Sequence, residues 1–439
     1  MRPLAQNLGK ELKQEKEINT MRIDLFLLHD DKFDDNPRKC IMASGKDLKA
    51  EINKYIDQLI SEGWTKRKLT FYFIKKLGFS EATCDSLVYL RKEFYHLIFL
   101  KKLLLLSNAY NKRFELQDKI KYLKANQTPL RVFKAVKFIT PGLCKLAGAH
   151  AADGTLHDNY FCVTDGQKSN IIAFSNWFTK TFDIHLKVKS IPTSTQEWKV
   201  ATTLKVYSRY LTHVLNFPNG SKTEIVKMSQ IIKNSPIKMQ IAFANGFMTF
   251  ESGFGIKNEV ELCVLSKNII DDLEKVFDNS NVKFVRMKKK SGKYYRIWSG
   301  KLNKTEAKNW LKFFEKDTYK YNRLLDFAAG YSTIPKTFEE AIEILDKAFP
   351  KKPNNKTCLV EILHAIRRIR AGTRHDLKSA AGLKDFGGPW NGSLRPYITI
   401  LELTNIINTK IGKANGKSCQ IYEYNPSLEI WRLPSTEVK

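Results

Sequence analysis

Apolar residues recur at helical spacing through the first part of the chain. One predicted helix ends near residue 62 and has an apolar face formed by Leu48, Ile52, Ile56 and Ile60. The same periodicity continues from about residue 87 to residue 122 and predicts a long helix that packs the N-terminal part together. We therefore expect a helical N-terminal domain over residues 1–130.

Residues 64–83 have the outline of a helix-turn-helix. A basic helix is followed by a turn at Gly78 and by a second helix that Ser80 would cap. Such an outline is typical of DNA-binding proteins. It is equally typical of a plain helical hairpin with lysines in solvent, and both interpretations stay open.

After residue 130 apolar and polar residues begin to alternate, which predicts strands. Over 184–190 the polar face would carry a histidine and two lysines, and over 198–205 it would expose Lys199, Thr203 and Lys205. A later segment has a turn of three lysines followed by a cationic and aromatic face. The candidate contacts to a nucleic acid are His185, Lys187, Lys189, Lys288, Lys289, Lys290, Tyr294 and Arg296.

One segment occurs twice. Leu146-Ala-Gly-Ala-His-Ala-Ala-Asp-Gly154 returns as Ala244-Asn-Gly-Phe-Met-Thr-Phe-Glu-Ser252, so that Gly148 matches Gly246 and Asp153 matches Glu251, 98 residues later. The same distance relates Asn170-Ile171-Ile172 to Asn268-Ile269-Ile270, and the pair Ile184/Leu186 to Val282/Phe284. The chain therefore contains two copies of one unit, each predicted as helix, two strands, helix, two strands, helix.

The first helix of each copy is poor in charge and ends in an acid. Thr140-Pro141 and Ser235-Pro236 are start signals for these helices, and small residues along them would let two such helices cross with their backbones close together. Crossing would bring Asp153 and Glu251 together. Two neighbouring carboxylates repel unless a cation with oxygen ligands lies between them, and Mg²⁺ is the usual choice beside phosphate.

The composition restricts the class of partner. The 439 residues have a formal charge of +29, with 43% hydrophobic and 12% aromatic residues, which describes a folded protein that meets a polyanion. We expect nucleic acid rather than a membrane surface, because the most apolar run, residues 97–106, is too short to span a bilayer. Seven cysteines without a C-x-x-C pair argue against a disulfide framework or a zinc site, and no phosphate-binding loop for ATP is present. A reducing, cytoplasmic location, associated with the nucleoid, follows.

The C-terminal part predicts a helical connector and a further domain. Residues 317–349 look helical, and the prolines and asparagines of 350–356 mark a linker. Residues 357–439 predict three helices followed by two strands, with a wing tip at residues 412–416. We expect a winged-helix-like domain here.

The duplicated pattern resembles the LAGLIDADG homing endonucleases, in the two-motif, single-chain form. The resemblance covers roughly residues 135–316 and rests on the two motif segments and on Asn219-Gly-Ser-Lys222 before the second one. It implies an α+β fold with a duplicated αββαββα core, repeat 1 over 131–220 and repeat 2 over 221–316, with saddle-shaped sheets between flanking helical and winged-helix-like domains.

The resemblance also implies roles for individual residues. Asp153 and Glu251 would bind the catalytic metal, Mg²⁺ or Mn²⁺ in its place, and Gly148 and Gly246 would lie at the helix interface. The basic residues that would assist catalysis are Lys199, Lys205, Arg296 and Lys301. A monomer with internal pseudo-two-fold symmetry would then cut a long, asymmetric site in double-stranded DNA.

A second hypothesis belongs to a different class. Bacterial sporulation regulators similarly join a LAGLIDADG-like domain to a helix-turn-helix domain without cleaving DNA, and some relatives act as RNA splicing maturases. The acid pair favours the nuclease, because a protein that only binds gains nothing from two buried like charges. The regulator stays the alternative.

Overall fold

The computed structural model describes most of the chain. The residues described are 21–30, 39–125, 131–191, 197–254, 258–288, 294–329, 335, 337–348, 355–382, 394–414 and 417–425. The fold is α+β: helices combine with four antiparallel sheets. Among the described residues, no helix is both long and apolar enough to cross a membrane.

The N-terminal part is a mixed unit rather than a helical one. Its helices are α1 (Leu48–Ser61), α2 (Lys66–Leu77), α3 (Glu81–Val88), α4 (Leu97–Leu106) and α5 (Arg113–Asp118). Its strands are β1 (Ile41–Ser44), β2 (Tyr95–His96), β3 (Tyr122–Ala125) and β4 (Val132–Lys134), in the order β2-β1-β3-β4. Because β4 pairs with β3, this sheet extends past the boundary that we set at residue 130.

The long helix predicted over 87–122 is wrong. Leu90 and Asn108 have φ values of 55° and 52°, in the left-handed region that a right-handed helix cannot include. Within this range the structure has the end of α3, then α4, whose apolar residues pack into the core, and the short α5. The helical spacing of apolar residues in this buried segment therefore did not show where the helices end and the chain turns.

Two helices do flank the glycine turn at residue 78. Thr65 caps α2 by accepting a hydrogen bond from the Lys68 amide, and Ser80 caps α3 in the same way through Thr83. Gly78 has a φ of 66°, which ends α2. The second helix, Glu81–Val88, contains no Lys or Arg, unlike a helix that would enter a DNA groove.

The first repeat starts at α6 (Pro141–Asp153). It continues with β5 (Gly154–His157), β6 (Tyr160–Asp165), α7 (Lys168–Phe182), β7 (Lys189–Ile191), β8 (Glu197–Thr203) and α8 (Lys205–Arg209). The sheet order is β5-β6-β8-β7. Thr140 accepts a hydrogen bond from the Leu143 amide and Pro141 is the first helical residue, so the predicted start of α6 is confirmed.

The second repeat follows a short helix α9 (Gln230–Lys233). It contains α10 (Ile237–Glu251), β9 (Gly253–Phe254), β10 (Val260–Val264), α11 (Lys267–Asp278), β11 (Val285–Lys288), β12 (Tyr295–Trp298) and α12 (Lys304–Trp310). The sheet order is β9-β10-β12-β11, the counterpart of the first sheet. Ser235 does not cap α10, because its hydroxyl donates back to the Ile231 carbonyl at 2.6 Å.

The spacing of 98 residues changes by one between elements. Ser252 ends α10 with the same backbone conformation with which Gly154 ends α6, so the two motifs match without a gap. Leu156 pairs with Phe161, five residues on, whereas Phe254 pairs with Val260, six residues on, so the extra residue lies between β9 and β10. The match of Asn170 to Asn268 is therefore wrong: Asn170 is buried and Asn268 is exposed. Ile184 and Val282 are both buried, as expected from the original spacing.

The C-terminal part has its own hydrophobic core. The connector contains α13 (Tyr319–Ala329) and α14 (Phe338–Ala348). After these come α15 (Asn355–Ile369), β13 (Ala371–Thr373), α16 (Arg374–Ala380), α17 (Arg395–Leu403), β14 (Ile407–Ala414) and β15 (Lys417–Tyr424), with the sheet order β13-β15-β14. The predicted wing tip falls on the β14–β15 turn, whose residues 415 and 416 lie outside the described residues. One core cluster runs from Ile23 to Ala328 and a second from Phe338 to Tyr422.

Candidate active site at the crossing of two helices

The helices α6 and α10 cross where each has a glycine. A Cβ atom on Gly148 would lie 2.0 Å from the carbonyl oxygen of Phe243, and one on Gly246 would lie 2.0 Å from the carbonyl oxygen of Lys145. Each glycine thus approaches the residue three positions before the other glycine, so the contact is reciprocal. No side chain fits at either position, so only glycine permits this approach.

The crossing places the two acids in one site. Asp153 is the last residue of α6 and Glu251 the last of α10. Burial, with a further contribution from the negative charge of Asp165, raises the pKa of Asp153 to about 6. Burial, followed by the charge of Asp153, raises the pKa of Glu251 to about 7. Desolvation and like charge both disfavour the ionised carboxylate, so each acid keeps its proton to a higher pH than an exposed carboxyl group.

Two lysines that the sequence analysis did not assign reach the same site. The Lys222 ammonium donates to the carbonyl oxygens of Ala151 at 2.7 Å and Ala152 at 2.8 Å, at the end of α6. The Lys320 ammonium donates to Thr249 at 2.8 Å and Phe250 at 3.2 Å, at the end of α10. A cation at a helix C-terminus is stabilised by the helix dipole.

The two lysines are separated by the same number of residues as the two acids. Lys320 follows Lys222 by 98 residues, and each lysine follows the acid of its own motif by 69 residues. Burial is the main cause that lowers the pKa of both ammonium groups to about 8, while the charges of Asp153 and Glu251 act in the opposite direction. Lys222 lies in the quoted Asn-Gly-Ser-Lys segment, so the repeat distance would have found its partner.

A third carboxylate belongs to the first repeat alone. The side-chain amide of Asn170 donates to Asp165 at 3.0 Å and to the Thr249 carbonyl at 3.1 Å, the same carbonyl that Lys320 contacts. Asp165 is opposite Trp198 and Val264 is opposite Tyr295 in the two sheets, so strand pairing makes Val264 the counterpart of Asp165. The charges around the two lysines are therefore unequal.

Two of the four basic candidates lie on corresponding sheet positions. Lys199 of β8 is opposite Thr164, and Arg296 of β12 is opposite Cys263. Arg296 approaches Glu261 at 2.6 Å. Lys301 is exposed in the connection between β12 and α12 rather than on a strand.

The assignment of Lys205 is wrong. β8 ends at Thr203, and Lys205 is the first residue of α8, buried, with its ammonium donating to the carbonyl of Lys39. On the same helix Arg209 forms an ion pair with Asp30 at 2.8 Å. Lys205 therefore attaches the first repeat to the N-terminal unit, because β8 ends two residues before it and does not expose its side chain.

The predicted nucleic-acid contacts are only partly on strands. Lys189 starts β7, whereas His185 and Lys187 are exposed in the irregular segment before it. Tyr294 is exposed next to β12, and Lys288 ends β11. The predicted contacts Lys289 and Lys290 lie outside the described residues.

Two unusual motif residues are accommodated without disturbing the crossing. Phe250 packs its ring against Phe174 and Trp177 of α7. His150 is fully buried, and neither ring nitrogen has a hydrogen-bond partner among the described residues. Burial lowers the pKa of His150 to about 3, so the imidazole is neutral.

The donor set suits Mg²⁺ better than a metal held by protein alone. Among the described residues, no three His, Cys, Asp or Glu side chains form a metal-binding group. Mg²⁺ commonly uses one or two carboxylates and completes its shell with water and substrate phosphates. Asp153 and Glu251 could supply that minimal set, and burial and neighbouring negative charge raise the pKa of both carboxyl groups.

Comparison with known proteins gives no family assignment. No protein-family model matches the chain, and no curated protein is similar in sequence. A mesophilic variant of the homing endonuclease I-DmoI overlays on 39% of this chain and 88% of its own, with 12% identity and a TM-score of 0.29. A variant of I-DmoI in complex with its target DNA and in the presence of Mn covers 44% and 97%, at 11% identity and a TM-score of 0.29. Full-length DUF199/WhiA from Thermotoga maritima covers 61% and 93%, at 10% identity and a TM-score of 0.29.

Proposed function

We propose that this chain is a metal-dependent endonuclease that cuts both strands of DNA at a long, asymmetric site. The observation that carries the proposal is the paired arrangement at the helix crossing. Each helix ends in a buried acid, and each end is held by a lysine that recurs at the same distance. A duplex has two strands to cut, so two copies of one catalytic group match the substrate.

In this proposal Asp153 and Glu251 hold Mg²⁺, or Mn²⁺ in its place. When bound, the metal would polarise the scissile phosphates. The carboxylates bind it only in their charged forms, so each must lose the proton that burial favours. The two crossing glycines fix the distance between the acids, because they set how closely the helices approach.

The lysines act on the substrate phosphates. An ammonium group in a site with little water strongly stabilises negative charge that develops on phosphorus. With pKa values of about 8, Lys222 and Lys320 are also suited to transfer a proton near neutral pH. Four carbonyl contacts orient them before DNA arrives, two for each lysine at 3.2 Å or less.

The partner is proposed to be double-stranded DNA bound by a monomer. The charge of +29 favours a polyanion. In the first sheet Lys189 is directly opposite Lys199, and both lie on the side away from buried Val200. Such a cationic strand pair is suited to phosphate contacts along a groove.

The flanking units are proposed to help position the DNA. The order helix, strand, helix, helix and hairpin over 355–424 corresponds to a winged helix. The hairpin of α2 and α3 belongs to the N-terminal unit. The proposed boundaries are those of the sequence, 1–130, 131–220, 221–316, 317–349 and 357–439, with β4 moved to the first unit.

A non-cleaving DNA-binding regulator is the second candidate. The observation that favours it is the C-terminal unit, because winged helices are common in regulators and a helix-crossing nuclease does not require one. Against it stand the buried acids and lysines, since burying charges costs stability and a protein that only binds gains nothing from it. An RNA maturase would share the site but prefer RNA.

The deciding experiment tests cleavage and binding separately. Purified chain is incubated with a randomised duplex library and Mg²⁺, and cleaved ends are sequenced. The double variant Asp153→Asn, Glu251→Gln should lose cleavage while its DNA affinity stays equal or rises. Asp183→Asn is the matched control, because Asp183 is exposed in a left-handed turn that asparagine tolerates. Wild-type protein that binds duplexes but cuts none in Mg²⁺ or Mn²⁺ would establish the regulator instead.

A further inference from the structure

The solvent face of the first repeat's sheet is rich in hydrogen-bonding groups. Phe161, Val163 and Val200 are buried, so the alternate residues of β6 and β8 point to the other face. Cys162, Ile191 and Ala201 lie on that face together with polar residues that include Thr155, Tyr160, Thr164, Lys189, Lys199 and Thr203. All six polar residues can donate or accept hydrogen bonds.

The corresponding face of the second repeat is largely apolar. Leu262 and Ile297 are buried, and the alternate positions of β10, β11 and β12 form the opposite face. That face carries Cys263, Val285, Met287 and Trp298, and Val285 is 50% exposed. Its cation, Arg296, is already paired with Glu261 at 2.6 Å.

Strand pairing shows which residues replace which. Lys189 is opposite Lys199 in the first sheet, and Met287 is opposite Arg296 in the second. Met287 therefore occupies the position of Lys189. Lys187 precedes Lys189 by two residues, as Val285 precedes Met287. Val285, which is exposed, therefore takes the place of Lys187.

Both faces begin at the catalytic acids. β5 starts directly after Asp153, and β9 starts two residues after Glu251. DNA that reaches both acids would therefore meet both sheets. Because the apolar face is continuous with the site of the acids, and because the chain has a charge of +29, we assign this face to DNA rather than to a protein partner.

We propose that the second repeat recognises its half of the DNA site through thymine methyl groups, which rests on the proposed binding of duplex DNA. The C5-methyl of thymine is the apolar group that the major groove presents. Valine, methionine and tryptophan side chains can bury it, and valine and methionine donate no hydrogen bond to the polar edges of G·C pairs. The first repeat reads its half by hydrogen bonds instead. Val285, Met287 and Trp298 are the specificity-determining residues.

The magnitude follows from the burial of one carbon. Burying a methyl or methylene group contributes about 0.8 kcal/mol, which corresponds to about fourfold in affinity. Replacing thymidine by deoxyuridine removes only this methyl and leaves base pairing intact. Two contacted methyls would therefore change the affinity about 16-fold if their effects add.

The experiment uses the full-length protein and duplex oligonucleotides selected from a randomised library, with EDTA present to prevent cutting. Deoxyuridine replaces thymidine in one half of the selected site at a time, and Kd is measured for each. We expect a loss of about fourfold per contacted methyl in one half and no loss in the other. In Met287→Ala this loss should shrink, while in Lys189→Ala, the matched control, it should persist although overall affinity falls.

The other outcomes would contradict different parts of the inference. Equal losses in both halves, or none, with a specific site still bound, would exclude methyl recognition but leave the endonuclease proposal standing. A loss that persists in Met287→Ala at full size would assign the methyl contact to other residues. Failure to select any duplex, or selection of RNA, would exclude both this inference and the proposed function.

Discussion

Gly148→Ala tests whether the crossing of the two helices sets the geometry of the acids. The new Cβ would lie 2.0 Å from the Phe243 carbonyl oxygen and 2.7 Å from the Phe247 nitrogen, and backbone atoms cannot rotate away. An ordinary contact starts at 3.4 Å, so the helices must separate by about 1.4 Å. Forced separation of a packed core costs about 1–3 kcal/mol.

The same separation should impair catalysis more than folding. A displacement of about 1 Å between reacting groups can cost about 100-fold in rate, and we expect a loss of this size in single-turnover cleavage. Stability is measured by urea denaturation. Gly142→Ala is the control on the same helix, because its Cβ would meet the Thr181 hydroxyl at 2.4 Å, and a side chain can turn away. Wild-type stability and cleavage in Gly148→Ala would refute the close crossing.

Three further predictions concern buried polar groups. His150→Leu should raise the free energy of unfolding by about 1–3 kcal/mol, since it replaces an imidazole without hydrogen-bond partners by an apolar side chain of similar size; a loss of stability in urea would contradict this. Because the pKa values of Asp153 and Glu251 are raised on folding, the native state binds extra protons between about pH 4 and 7, and its stability falls as pH rises through that range. The Asn/Gln double variant should lose this part of the slope in melting temperature against pH, measured without metal. Lys222→Met and Lys320→Met should each slow the cutting of one strand, so that nicked DNA accumulates on denaturing gels; equal slowing of both strands would argue against separate roles.

The acids and the glycines of the crossing could be predicted because their physical requirements are narrow. Only glycine permits backbones to approach as closely as they do at Gly148 and Gly246, so a small residue in each helix indicates a contact. Lys222 and Lys320 have no such steric requirement, and the only signal for them in the sequence is the repeat distance of 98 residues. They stand among 74 basic residues, and their proximity to the acids arises only when the chain returns to the helix ends.

The strand assignments failed where a local pattern continued beyond its element. Lys205 keeps the alternation of β8, but the chain has already begun a helix that packs against the N-terminal unit. Alternation is a property of side-chain burial, and burial in a neighbouring unit produces the same pattern as burial under a sheet. Contacts with the N-terminal unit, rather than the local sequence pattern, therefore determine where the Lys205 side chain lies.

The extra residue between β9 and β10 has a consequence for the proposed cutting of the two strands. It shifts the partner of Asp165 from Cys263 to Val264, so the carboxylate near Lys320 has no equivalent near Lys222. After burial, the charge of Asp165 is the largest influence on the pKa of Lys320, and it favours the ammonium form, whereas Lys222 is influenced only by the two acids proposed to bind the metal. Lys320 should therefore stay charged to a higher pH than Lys222 once a metal compensates those acids. Asp165→Asn should remove the difference, so that cleavage rates of the two strands, unequal in the wild type above about pH 8, converge. Strands that remain unequal in this variant would place the asymmetry in the DNA-binding sheets rather than in the site.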